Sequence, residues 1–131
     1  MPGRISLGKI LVVDDRADFR KVVRDALAPY CTSVAECADG GEVVAGYTRE
    51  APEWVLMDVR MKHVDGLTAT RQLLTEYPKA RVVVLTSFWG RELSEMAHRA
   101  GALGCFSKED LMDLPAALHQ IAAKITLRGS T

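Results

Sequence analysis

Three short runs of uninterrupted apolar residues, Ile10 to Val13, Trp54 to Met57 and Val82 to Leu85, each stop abruptly at a polar side chain. Such runs, free of the alternation that marks a half-exposed sheet, read as strands covered on both faces, the habit of a parallel sheet held between layers of helix. Two weaker runs, Thr32 to Cys37 and Leu103 to Ser107, mix small and polar residues into the apolar ones and predict edge strands. Between the runs lie stripes of helical period. Phe19, Val22, Val23, Ala26, Leu27 and Tyr30 form one, and Leu114, Ala117, Leu118, Ile121, Ala122 and Ile125 form another. Shorter stripes are Thr70, Leu73, Leu74 and Tyr77, then Leu93, Met96, Ala97 and Ala100, and a poorer one is Val43, Val44 and Tyr47. Pro29, Pro52, Pro78, Gly66 and Gly90 fall between or at the ends of these segments, where chain breakers belong.

Five strands alternating with five helices predict right-handed βαβ units. Strands 1, 3 and 4 are the most apolar and strands 2 and 5 the least, and the order 2-1-3-4-5 puts the right ones inside. This is an α/β fold of the flavodoxin-like doubly wound kind, a five-stranded parallel sheet with five helices. The chain's 131 residues suit one domain with a real core. Its 17 basic and 17 acidic residues cancel, so it lacks the positive surplus that neutralises nucleic-acid phosphates. No apolar run approaches the roughly 18 residues of a bilayer span, and MPGRISLG lacks a signal peptide's apolar stretch, so a cytoplasmic location is expected. Cys31, Cys37 and Cys105 are odd in number and form no CxxC pair, which predicts reduced, packing cysteines.

The polar residues that end the strands matter most. Asp14 and Asp15 follow strand 1, Asp58 follows strand 3, Thr86 and Ser87 follow strand 4, and Lys108 ends strand 5. In an open parallel sheet the carboxyl ends share one edge, where ligands bind at the point of strand-order reversal. Each aspartate taken singly could cap the following helix, worth about 1 kcal/mol. Carboxylates a few ångströms apart, however, repel by roughly 4 kcal/mol at an effective dielectric near 20, and one lysine does not balance three of them. A hard divalent cation does, and Mg2+ favours a site of one or two carboxylates completed by waters and phosphate oxygens. Metal, lysine and hydroxyl around one remaining carboxylate point to phosphoryl chemistry, with Asp58 as nucleophile.

The acidic pair in ILVVDD, the acceptor in VLMDVRM, the hydroxyl in VVVLTS and the lysine in AGALGCFSK resemble, in that order, the receiver domain of bacterial two-component response regulators. The resemblance covers roughly Lys9 to Lys124. It implies that Asp58 takes a phosphoryl group from the phosphohistidine of a sensor histidine kinase, with Mg2+ held by Asp15, Asp58 and the carbonyl of Arg60. Asp14 would act mainly through a metal-bound water, Lys108 would pair with phosphoryl oxygens, Thr86 would rotate inward to one of them, and small Ser87 keeps the route open. Homodimerisation on phosphorylation is an expected consequence. The stretches YPKARVVVLTS and AGALGCFSKED resemble the branch with a LuxR-type helix-turn-helix output, so DNA would be touched only through a C-terminal domain absent from this chain. The corresponding boundaries are an extension over 1–8, a receiver domain over 9–125, and a tail or start of a linker over 126–131.

Departures from the family pattern sharpen the reading. The usual proline four residues after the acceptor is Lys62, while Asp65 and Gly66 retain turn and capping chemistry. Lys108 precedes Glu109 rather than proline, so a trans peptide is expected. The strand-5 position where the family keeps a switching tyrosine or phenylalanine is Cys105, and Phe106 points to the opposite face. Signalling then falls to Thr86 and the loop Ser87 to Gly90. A haloacid dehalogenase-type phosphatase needs a second acid two residues after its nucleophile, but Arg16 and Arg60 stand there. A pseudo-receiver that binds partners without phosphorylation is the alternative suggested by the missing aromatic and proline. His63, His98 and His119 are scattered and read as solvated surface side chains.

Overall fold

A computed structural model describes residues 5–129 of the chain. Five parallel strands, β1 (Lys9–Val13), β2 (Ser33–Cys37), β3 (Trp54–Asp58), β4 (Val82–Thr86) and β5 (Gly104–Ser107), form one sheet in the order β2-β1-β3-β4-β5. The helices are α1 (Ala17–Leu27), α2 (Val43–Glu50), α3 (Gly66–Glu76), α4 (Arg91–Ala100) and α5 (Leu114–Gly129). The flavodoxin-like order expected from strand composition is the one observed. β3 and β4 are buried along their whole length, whereas no residue of β5 is fully buried.

Two apolar layers sandwich the sheet, and strand alternation sorts residues between them. Leu11, Val13, Met57 and Val84 face Val43 of α2, Leu73 of α3 and Ala97 of α4. Ile10, Val12, Leu56 and Leu85 face Val23 and Leu27 of α1 and Leu114 and Leu118 of α5. Gly101, at φ 105, closes α4 in the left-handed conformation, its N–H reaching the carbonyls of Ala97 and His98. Register brings Val13 beside Met57 and Asp58 beside Leu85, so the strand ends are level.

Several expectations need correction. Val22, placed in the α1 stripe by spacing, is 50% exposed, because only Val23 and Leu27 of that helix are fully buried against the sheet. Tyr30 leaves the stripe because Pro29 tightens the chain into a 3₁₀ turn over Ala28–Tyr30. Leu103 is also exposed and precedes β5 rather than opening it. A 3₁₀ segment, Lys108–Asp113, separates β5 from α5. Leu7, inside the expected extension over 1–8, is buried in the α1/α5 layer, and α5 continues past residue 125 to Gly129. Residues 1–4 of that extension and 130–131 of the expected tail lie outside the described residues. No described helix is long and apolar enough to cross a membrane.

Candidate functional site

The carboxyl ends of β1, β3, β4 and β5 deliver the site. Asp14 follows β1 and is 1% exposed, while Asp58 and Thr86 are the last residues of β3 and β4 and are 8% and 3% exposed. Asp14, Asp15 and Asp58 each offer a carboxylate oxygen, and these atoms lie within 4.8 Å of one another. Lys108 projects into the cluster, its Nζ 2.7 Å from Asp14 Oδ2 and 3.2 Å from Asp58 Oδ1. Its ammonium also rests 4.2 Å from the centre of the Phe19 ring. A cavity of about 150 Å³ opens here, lined by Asp15, Asp58, Arg60, Thr86, Ser87 and Lys108. Arg16 and Phe88 complete its rim.

Capping does not account for the cluster. The N-cap of α1 is Arg16, with no side-chain cap, and α3 is capped by Asp65, whose carboxylate accepts from Thr68 N at 2.9 Å. Burial pushes the Asp58 carboxyl above its ordinary range, and the negative charge of Asp14 adds to the effect against the pull of Lys108. An excess of negative charge in a buried, oxygen-only donor set fits a hard divalent cation. The peptide after Lys108 is trans, as no described peptide bond is cis, and Ser107 accepts from Glu109 N at 3.1 Å to start the next turn.

Contacts that spacing did not reveal hold the site in place. Arg20 donates to the Asp14 carbonyl at 2.6 Å and to Glu36 Oε1 at 2.7 Å, bracing the β1 end against β2. Asp39 accepts from Gly41 N, His63 N and Val64 N, fixing the loop that carries Arg60. Gly66 is required by contact: a Cβ there would sit 1.9 Å from the Asp58 carbonyl oxygen. For Arg20 and Asp39 the only sequence cues were an arginine one turn into α1 and an aspartate in the ADGG turn, whereas Gly66 stood out already as the breaker before α3.

The exit from β4 is tethered at both ends. Thr86 Oγ1 accepts from Phe88 N at 3.0 Å, and Trp89 Nε1 donates to the Cys105 carbonyl at 2.8 Å. Phe88 lies exposed with the Arg60 guanidinium 4.1 Å from its ring centre. Cys105 packs on the α4 side of the sheet and Phe106 on the α1/α5 side. All three cysteines are free, and His63, His98 and His119 are exposed.

Comparison with known proteins agrees with this geometry. Residues 10–119 match the response regulator receiver domain. The chain is 33% identical over 123 residues to the transcriptional regulatory protein DegU of Brevibacillus brevis, covering 92% of this chain and 50% of that protein. It is 32% identical over 95 residues to the chemotaxis protein CheY of Bacillus subtilis, covering 72% and 79%. A LuxR-family two-component response regulator from Aurantimonas sp. SI85-9A1 superposes with a TM-score of 0.82 at 32% identity, over 88% of this chain and 85% of that one. The chain spans half or less of the length of the first curated relatives it matches.

Proposed function

This chain belongs to the response regulator receiver family, and from that premise we propose that Asp58 accepts a phosphoryl group from the phosphohistidine of a sensor histidine kinase. The observation that carries the reading is the Asp14–Asp15–Asp58 cluster bridged by Lys108 at the mouth of an open cavity beside Thr86. An Asp58 carboxylate oxygen attacks phosphorus, the nitrogen–phosphorus bond breaks, and the imidazole leaves with its electron pair. Lys108, released in part from Asp14, pairs with the developing phosphoryl charge, and the Thr86 hydroxyl donates to a phosphoryl oxygen. Ser87 is small enough to leave the approach open. Hydrolysis reverses the state: water attacks phosphorus and phosphate departs from Asp58.

Asp15, Asp58 and the Arg60 carbonyl would hold Mg2+, with Asp14 acting through a bound water; the oxygen-only donor set fits that ion. When bound, Mg2+ supplies the positive charge that offsets the carboxylates and the incoming phosphoryl oxygens. The chain is thus a phosphoacceptor that assists its own phosphorylation and dephosphorylation, acting in the cytoplasm. Its state controls an output domain or partner through the face of α4, β5 and α5, with homodimerisation on phosphorylation. Half-length coverage of a transcriptional regulator, with zero net charge here, supports DNA contact through a separate C-terminal domain. The intact cluster disfavours a pseudo-receiver.

Incubation with a small phosphodonor and Mg2+, read by intact mass, tests the reading. One phosphoryl adduct is expected on the wild type and none on Asp58→Asn. No adduct on the wild type, or one retained by the variant, would defeat it.

A further inference from the structure

We propose that Trp89 carries the state of Asp58 to the α4–β5 face, doing from a loop what a strand-borne aromatic ring at position 105 would otherwise do. The proposal rests on the phosphoryl-acceptor reading and names how that site is read out. Cys105 is too small to fill the space beside it: a groove of about 430 Å³ runs along it, walled by Ser94, His98 and Arg99 of α4 and by Leu103. Phe106 does not substitute, because it packs into the opposite layer. The indole of Trp89, 55% exposed, hangs at this strand by one hydrogen bond, Nε1 to the Cys105 carbonyl at 2.8 Å.

Two hydrogen bonds in series then join the site to β5. Thr86 Oγ1, buried at the cavity, accepts from Phe88 N, and the next residue holds β5 through its indole N–H. Turning the Thr86 hydroxyl toward a phosphoryl oxygen swings Oγ1 away from Phe88 N, because one χ1 rotation moves the whole group. The Phe88 amide must then seek another acceptor, and the loop shifts. A hydrogen bond of this length does not survive a displacement of about 1 Å, so the indole lets go of Cys105. A Cβ at Gly90 would meet nothing within 4 Å, so the loop has room to swing before α4 begins. The freed ring settles over the groove beside Cys105 and changes the surface that α4 and β5 present.

Proton–nitrogen correlation spectra of the 15N-labelled chain, recorded with Mg2+ before and after beryllofluoride, test this. The indole N–H signals of Trp89 and Trp54 are told apart by the loss of one in Trp89→Phe. Expected in the wild type are a shift of the Trp89 indole signal and of amides in α4 and Gly104–Ser107, while Trp54, at the far end of β3, stays still. In Trp89→Phe, amides around Asp58 and Thr86 respond fully, and the α4 and β5 responses fall at least threefold. Adding Cys105→Tyr to that variant, which returns a ring to the strand, restores them. An unmoved Trp89 signal while the Asp58 neighbours shift in the wild type overturns the proposal, and so does a full α4 and β5 response in Trp89→Phe. No response at the Asp58 neighbours in the wild type removes the phosphoryl-acceptor reading itself, and the coupling with it.

Discussion

Replacing Asp58 by asparagine should make the metal-free protein more stable, although it removes the proposed phosphoryl acceptor. Asp14, Asp15 and Asp58 hold oxygens within 4.8 Å of one another. At an effective dielectric near 20, each such pair repels by about 3.5 kcal/mol or more. Lys108, 3.2 Å from Asp58 Oδ1, returns about 5 kcal/mol on the same scale. Two repulsions outweigh that attraction by about 2 kcal/mol, and desolvation of the buried carboxylate adds to the deficit. Asp58→Asn should therefore gain about 2 kcal/mol at pH 7 in chelator, a rise in Tm of roughly 6–10 °C for a domain of this size. The pH dependence has a definite sign. The folded carboxyl titrates above its unfolded value, so the native state binds the proton more tightly and wild-type stability falls as pH rises through that window. The advantage of Asp58→Asn is thus complete above the raised folded value and closes on acidification toward the unfolded value. If the cluster holds Mg2+ as proposed, the ion at a hundredfold excess over its Kd adds about 2.7 kcal/mol to the wild type, and less to the variant, which has lost one of the carboxylates proposed to hold it. Urea unfolding across pH, with and without Mg2+, measures all of this. A variant no more stable than the wild type at pH 7, or a gap that does not narrow in acid, refutes the electrostatic account.

Lys108→Met should destabilise the metal-free protein by about 3–5 kcal/mol, since it leaves buried Asp14 without its cation. Mg2+ should recover part of that loss in the same unfolding experiment, and equal losses with and without the ion would count against Lys108 as the counter-charge. Gly66→Ala must push back the β3 end, because the new Cβ would lie 1.9 Å from the Asp58 carbonyl oxygen. A loss at or above the upper end of the about 1–3 kcal/mol typical of overpacking is expected by urea unfolding, and a neutral result would show that the contact yields. Burial, aided by Glu42, pushes the Cys37 thiol up to about 11. At pH 8 only about a thousandth of it is thiolate, so mass mapping after brief alkylation should find Cys37 unmodified while the partly exposed Cys31 and Cys105 react.

Much of this protein was legible in one dimension because a parallel sheet obeys simple rules. Continuous apolar runs marked β1, β3 and β4 as interior strands, and β–α alternation put all their carboxyl ends on one edge. Asp14, Asp58, Thr86 and Lys108 could therefore be assembled without coordinates. Charge counting added that three carboxylates and one lysine want a cation. The limits of periodicity show at Val22 and Tyr30, which share the apolar spacing of α1 but face solvent, one off the buried stripe and the other displaced by Pro29.

What the sequence determined by itself was which residues meet, because strand order and alternation depend on local hydrophobic pattern summed over each element. What the tertiary structure alone decided was how they are held. The reach of Arg20 to the Asp14 carbonyl, of Asp39 to the amides of His63 and Val64, and of Trp89 across to the Cys105 carbonyl each depends on side-chain paths between segments far apart in the chain. No period encodes those paths. They are set by helix packing distances and rotamers chosen jointly by the whole core, and it is there that the small Cys105 and its neighbouring indole become a single feature.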